Sequence, residues 1–334
     1  MRIALRRVQN QIPILSEFDS YLSMGVFLSM NTKWIDAESV FKILNVDDSV
    51  RAIQRALMDG LDPALGFDRD VLAVEGGQLV LMPSQSSDFV GVKVVTVSKG
   101  NSALGLPTIQ GMYVLIESQT LCPVALIDGA AITALRTPAV SASVVEYLAP
   151  SAIDDFVLFG SGAQAWGHFN AIRTVKKIGR VTIVARNRIR GAELASRIQS
   201  SGQRVRSGSP ENVREAQLIV CATTSRNPLF DGGLVPDDSL TIAIGSHEAT
   251  SREVSTSLVV RAQLVVEDQA TALREAGDLV IPIAEGAIRA NSLVSMRDII
   301  TGVMKADFGK PRIFKSVGMS WEDLIIASEV FRLS

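Results

Sequence analysis

The chain is short of the residues from which metal centres and disulfide frameworks are made. Its 334 residues include two cysteines and two histidines. Cys122 and Cys221 are too few for a structural zinc site, and two histidines give little basis for a His-based centre, so no metal is expected. Both cysteines have apolar neighbours and read as reduced core residues of a cytoplasmic protein. Aromatics are 5% of the chain and the formal net charge is −2. With no basic run and no array of stacking rings, neither nucleic acid nor an anionic membrane is an expected partner. No apolar run reaches the roughly 18 residues of a membrane span. The first 29 residues carry Arg2, Arg6 and Arg7 but no apolar core or cleavage pattern of a secretory signal. Met24 and Met30 are alternative starts, so residues 1–29 read as an extension with little role in the fold.

What is present suits an α/β enzyme with a large core: 47% hydrophobic and 20% charged residues, long enough for two domains of about 150 residues each. The chain is organised around D-F-V-L-F-G-S-G-A-Q-A, followed by a helical run and R-V-T-I-V-A-R. An apolar strand from Phe156 to Phe159 enters a glycine turn at Gly160 and Gly162. A helix opens at Ala163, Gln164 and Ala165 and runs to about Lys177, and a second strand spans Val181 to Ala185. This is the dinucleotide-binding βαβ fingerprint with alanine in its third position. Gly160 permits the tight turn, Gly162 lets the backbone approach a pyrophosphate, and Ala165 lets helix and strand pack closely, while free N–H groups face the phosphates. NAD sites place an acidic residue at the end of the second strand. Here Arg186 and Asn187 stand there, with Arg188 and Arg190 behind them. An arginine at that point pairs with a 2′-phosphate, so NADP is the expected cofactor and NAD the alternative; a solvated basic loop is the bland reading.

Upstream, Asp36 reads as the N-cap of a helix through Leu44, and Asp47 as the cap of another through about Met58. From Asp70 the pattern turns to strands. D-V-L-A-V-E, G-G and Q-L-V-L-M form a hairpin, continued by F-V-G-V-K-V-V-T-V, M-Y-V-L-I-E and P-V-A-L-I-D. The helix over Ala130 to Ala149 is interrupted at Thr137-Pro138, which places its main part after Pro138 and Arg136 just ahead of it. Beyond the fingerprint, a helix near Arg190 to Ser200 and the strands L-I-V-C-A-T, L-T-I-A-I-G and L-V-V-E-D alternate as a doubly wound parallel sheet requires. R-I-F-K-S-V-G and the apolar-faced helix from Trp321 to Phe331 suggest a return to the first domain. The expected fold is thus α/β: a Rossmann-type doubly wound parallel sheet over 138–308, with a mixed-sheet α+β substrate and dimerisation domain from 1–137 and 309–334.

Lys93 lies mid-strand among valines and shares a face with Val95, opposite Val92 and Val94; it points either to solvent or into a site. Arg136 is either a helix-end charge or a carboxylate ligand, for which the planar guanidinium is suited.

The runs K-V-V-T-V…N…G-L-P-T, A-L-I-D-G-A-A-I-T-A-L-R-T and F-G-S-G-A-Q-A, closed by F-K-S-V-G-M-S-W-E-D-L, resemble the ornithine cyclodeaminase/μ-crystallin family from about Asn31 to the C-terminus. The resemblance implies a homodimer in which Arg69 and Arg136 grip a substrate α-carboxylate, Lys93 faces the reacting carbon–nitrogen centre, and Thr108 lines the pocket. Ala222, Thr223 and Thr224 would meet the nicotinamide ribose, with Gly245 and Ser246 near the nicotinamide. The sequence departs from the family where Pro138 replaces a small residue, and at I-G-S-H-E, where His247 occupies the aspartate position of the cyclodeaminases. A histidine transfers protons near neutral pH but is a different acid–base group; a loop residue hydrogen-bonded at the strand end is the bland alternative. The expected activity is therefore NAD(P)H-dependent reduction of a small carboxylate-bearing imine, such as pyrroline- or piperideine-2-carboxylate, or amino-acid dehydrogenation. Ornithine cyclodeamination with recycled NAD is the first alternative, and a non-catalytic NADPH or small-ligand binding protein the second.

Overall fold

The structure, a computed structural model, describes residues 32–334. The reading of residues 1–29 as an extension lies outside them. Strand β1 (Lys33–Ile35) leads into helix α1 (Ala37–Ile43), whose cap is the expected one: the Asp36 carboxylate accepts from Ser39 N–H at 2.8 Å. Helix α2 (Val46–Met58) is capped by Asn45 and not by Asp47. The Asn45 side chain accepts from Asp48 N–H at 2.9 Å, and Asp47 falls in the first turn, where a negative charge complements the helix dipole.

Strands β2 (Asp70–Val74), β3 (Gly77–Gln85), β4 (Phe89–Val97), β5 (Ile109–Glu117) and β6 (Pro123–Asp128) form a six-stranded sheet in the order β1-β6-β5-β4-β3-β2. It is mixed, because β1 pairs parallel to β6 and every other pair is antiparallel. In β4, Phe89, Gly91, Lys93 and Val95 are buried, so Lys93 faces inward. Its cross-strand partners are Met82 and Tyr113.

Helix α3 (Gly129–Leu148) joins the two sheets, started by the Asp128 carboxylate accepting from Ala131 N–H at 2.8 Å. It runs without a break through Thr137 and Pro138, so Arg136 lies inside it and not ahead of it. Packing outweighs the missing proline N–H: Pro138 is buried, and Gly167 of the neighbouring helix leaves room for its ring.

The second sheet is built from β7 (Ile153–Phe159), β8 (Ile178–Val184), β9 (Arg204–Ser207), β10 (Leu218–Cys221), β11 (Leu240–Ala243), β12 (Gln263–Val266), β13 (Leu293–Ser295) and β14 (Arg312–Lys315). All its pairs are parallel, in the order β13-β12-β14-β11-β10-β7-β8-β9. Helices α4 (Ala163–Val175), α5 (Arg188–Ser200), α6 (Thr256–Arg261), α7 (Gln269–Glu275), α8 (Gly277–Ala284) and α9 (Met296–Ile300) connect these strands. The strand read as returning to the first domain is β14, and it sits inside the parallel sheet between β11 and β12, because its apolar residues are buried on both faces. Only the last helix, α10 (Ser320–Arg332), crosses over to pack on α2, α3, β3 and β4. One core cluster unites both parts, containing Ile53, Tyr113, Val140, Phe156, Phe314 and Leu324. Cys221 is buried as expected, but Cys122 is exposed in the β5–β6 turn. Among the described residues no helix is long and apolar enough to cross a membrane, and no His/Cys/Asp/Glu group is arranged to hold a metal ion.

Candidate active site

Strand order reverses between β7 and β10, and ligands of open α/β sheets bind in the crevice at such a point. A cavity of about 1190 Å³ opens there and continues onto the inward face of the first sheet. Gly160, Ser161, Gly162, Ala163 and Gln164 line it from the β7–α4 turn. Gly160 has φ +112°, and a Cβ there would stand 2.3 Å from the Ala222 carbonyl oxygen, so only glycine closes this turn. No side chain caps α4 at Gly162, which leaves the helix N–H groups available for an anion. Ala165 is fully buried and serves packing alone. At the end of β8, Arg186, Asn187 and Arg190 line the cavity. The Asn187 side chain is engaged as the cap of α5, accepting from Ile189 and Arg190 N–H, so Arg186 and Arg190 are the cations left to meet a ligand. These features fit a dinucleotide.

Where β10 and β11 end, the wall of the cavity is set by residues to which the sequence pattern assigned no role. The Glu253 carboxylate accepts from Thr223 N–H (2.9 Å), Thr223 Oγ1 (2.6 Å) and Gly245 N–H (2.6 Å), tying the ends of β10 and β11 together. Behind it, Asp278 accepts from Glu253 N–H at 2.6 Å and pairs with the fully buried Lys315 at 3.0 Å. Burial holds the Glu253 carboxyl above the usual range, opposed by its bonds to Thr223. Thr223, Thr224, Gly245 and His247 line the cavity. Ser246 does not: it is 2% exposed, its hydroxyl donates to the Ser251 carbonyl, and its own carbonyl accepts from Lys315.

On the first sheet's side of the cavity Lys93 and Arg136 come together, from β4 and α3, on two acidic residues of α10. Asp323 lies 2.8 Å (Oδ1) and 2.7 Å (Oδ2) from Lys93 Nζ, and its Oδ1 accepts from Arg136 Nε at 3.1 Å. Glu322 accepts from Arg136 Nη1 at 2.8 Å. Burial lowers the Lys93 ammonium to about 8 against the opposing pull of Asp323. Burial also works against the Arg136 charge, but Asp323, Glu322 and Glu267 outweigh it and raise its pKa. The Glu322 carboxyl is pushed well up by burial and by Glu267 beside it. Arg69 lines the cavity but is engaged by Glu275 at 2.8 Å and by the carbonyls of Val317 and Gly318. Thr108 lies outside the lining, although Ile109 next to it is part of it; the Thr108 carbonyl accepts from Ser98 N–H. The sequence signals for the acidic partners are the W-E-D opening of α10 and a second strand lysine, at the end of R-I-F-K; Glu253 has none.

Residues 36–332 match the ornithine cyclodeaminase/mu-crystallin family. The chain is 33% identical over 268 residues to the delta(1)-pyrroline-2-carboxylate reductase of Bacillus cereus, covering 78% of this chain and 82% of that protein. It is 30% identical over 262 residues to the ketimine reductase mu-crystallin of Mus musculus, with the same coverage of 78% and 82%. Its fold superimposes on the Thermococcus litoralis delta(1)-pyrroline-2-carboxylate reductase in complex with NADH and L-proline, with a TM-score of 0.85, 26% identity and coverage of 90% and 96%.

Proposed function

The chain belongs to the ornithine cyclodeaminase/mu-crystallin family, and on that premise we propose that it is an NAD(P)H-dependent oxidoreductase reducing the C=N bond of a small imine that bears a carboxylate. The observation that carries this reading is one cleft holding both a dinucleotide turn at Gly160 and the Lys93–Arg136 pair. Arg136 binds the carboxylate through guanidinium N–H groups not taken by Asp323 and Glu322. Lys93 donates a proton to the substrate nitrogen, and an ammonium held near 8 suits donation at neutral pH. A reduced nicotinamide held at the Gly160 turn would supply a hydride, and uptake of that hydride at carbon and of one proton at nitrogen converts C=N to CH–NH. Arg69 joins the carboxylate site if substrate displaces Glu275. His247 lines the cavity beyond the end of β11, where an imidazole can take part in proton transfer.

The finer assignment is NADP, supported by Arg186 and Arg190 at the end of β8, where NAD sites carry an acid. A homodimer is supported by apolar side chains left exposed on the first sheet's face away from the cavity, among them Leu72, Val74 and Met112. A cytoplasmic location accords with the buried, unpaired Cys221.

The test is turnover of pyrroline- and piperideine-2-carboxylate, and of keto acids with amines, each with NADPH and NADH. Net NADPH oxidation with Δ1-pyrroline-2-carboxylate is expected, and Lys93→Met should lose it while still binding NADPH. Ammonia release from ornithine without net nucleotide change would overturn the assignment, and unchanged turnover in Lys93→Met would remove the role given to Lys93.

A further inference from the structure

We propose that Asp323 is a positioning residue: reaching in from the terminal helix, its carboxylate holds the Lys93 ammonium and the Arg136 guanidinium in one arrangement that matches the substrate's nitrogen and carboxylate. This rests on the function proposed above and extends it to a residue with no expected role.

The two cations come from different elements, a strand of the first sheet and the helix joining the sheets. Neither backbone fixes the other's side-chain tip, and both side chains have many rotamers to lose. Asp323 removes that freedom. Its Oδ1 serves both cations, 2.8 Å from Lys93 Nζ and 3.1 Å from Arg136 Nε, and its Oδ2 lies 2.7 Å from Nζ. Thr133 Oγ1 accepts a second Nζ hydrogen at 3.3 Å. An ammonium has three donors and a guanidinium five. After Asp323, Thr133 and Glu322 are served, Lys93 keeps one and Arg136 three, and both residues line the cavity. The acidic pair is fully buried at the back of the cations, so it orients them without meeting the substrate.

The charged and titratable groups around Lys93 come from every packed element: Asp323 and Glu322 of α10, Arg136 of α3, and Tyr113 of β5, whose hydroxyl contacts Ser84. Glu267 at the end of β12 adds its charge to the Arg136 side. Burial and Arg136 favour neutral Lys93, while Asp323 and Glu322 favour the ammonium. Proton donation is therefore present below about 8 and lost as pH rises through that value. Removing the Asp323 charge lowers the Lys93 pKa further, so the alkaline limb of activity moves to lower pH. A residue that only supported the fold would reduce stability or the active fraction and leave that limb in place.

The experiment compares full-length wild type, Asp323→Asn and Asp323→Glu with NADPH and Δ1-pyrroline-2-carboxylate, recording kcat against pH and the NADPH Kd. For Asp323→Asn, kcat should fall by about 100-fold or more, as for loss of a positioned proton donor, with the limb displaced to lower pH and the NADPH Kd unchanged. Asp323→Glu keeps the charge but moves it, so its limb should stay near wild type while kcat drops. A wild-type limb in Asp323→Asn, or wild-type kcat in Asp323→Glu, would overturn the inference. If Asp323→Asn does not fold, Asp323→Glu decides by that same criterion. A wild type that does not reduce the imine would overturn the proposed function, and this inference with it; that failure is visible before any variant is compared.

Discussion

Replacing Gly318 with alanine should displace Arg136 and lower both activity and stability. Gly318 has φ +78°, and a Cβ there would lie 2.5 Å from Arg136 Nη1, 2.8 Å from Nη2 and 3.0 Å from Cζ. The guanidinium cannot simply swing aside, because Glu322 and Asp323 hold it at 2.8 and 3.1 Å. The left-handed backbone alone disfavours alanine by about 1–2 kcal/mol. That amounts to a fall in Tm of a few degrees, at about 2–4 °C per kcal/mol. Loss of one charge-assisted hydrogen bond to the substrate carboxylate removes about 1.5–3 kcal/mol, which is about 10- to 100-fold in kcat/KM. The assay is NADPH oxidation with Δ1-pyrroline-2-carboxylate, beside an NADPH titration and a thermal melt. A lowered Tm with unchanged kcat/KM would refute the placement of the carboxylate at Arg136.

Gly160→Ala puts a methyl group 2.3 Å from the Ala222 carbonyl, so NADPH binding should disappear in a fluorescence titration while circular dichroism stays near wild type. Arg186→Asp should weaken NADPH and favour NADH, each by about 10-fold or more if Arg186 pairs with the 2′-phosphate; equal effects on both nucleotides would count against NADP. Glu253→Ala removes three hydrogen bonds that join the ends of β10 and β11, and should raise the NADPH Kd without shifting the alkaline limb of activity. His168 is held neutral by burial, with its pKa lowered from 6.5 to about 4. The unfolded chain therefore takes up a proton first as pH falls, and stability present above 6.5 is lost between 6.5 and 4, by roughly 3 kcal/mol. Urea melts of wild type and His168→Gln across that range should show a shallower pH dependence in the variant.

Much of this molecule is local and was legible as such. The 160–165 turn needs a glycine at positive φ, a helix start and two flanking strands, all of which are neighbours in the chain, so the fingerprint could be read directly. Strand alternation placed Lys93 on the face of Val95 for the same reason, because a pleat has a period of two whatever lies beyond it. Interruptions judged locally were less secure: Pro138 suggested a helix break, yet burial between α3 and α4 keeps the helix continuous. Thr108, which its motif put in the pocket, likewise stays outside a lining that Ile109 beside it joins. What no local pattern could supply was the identity of the partners. Lys93 and Asp323 are 230 positions apart, and Arg69 meets Glu275 across the cleft. The charge of each group is written in the sequence, but its proton affinity depends on burial and on the nearest opposite charge. Tertiary structure alone decided those, by bringing β4, α3 and α10 to one point and shutting out water.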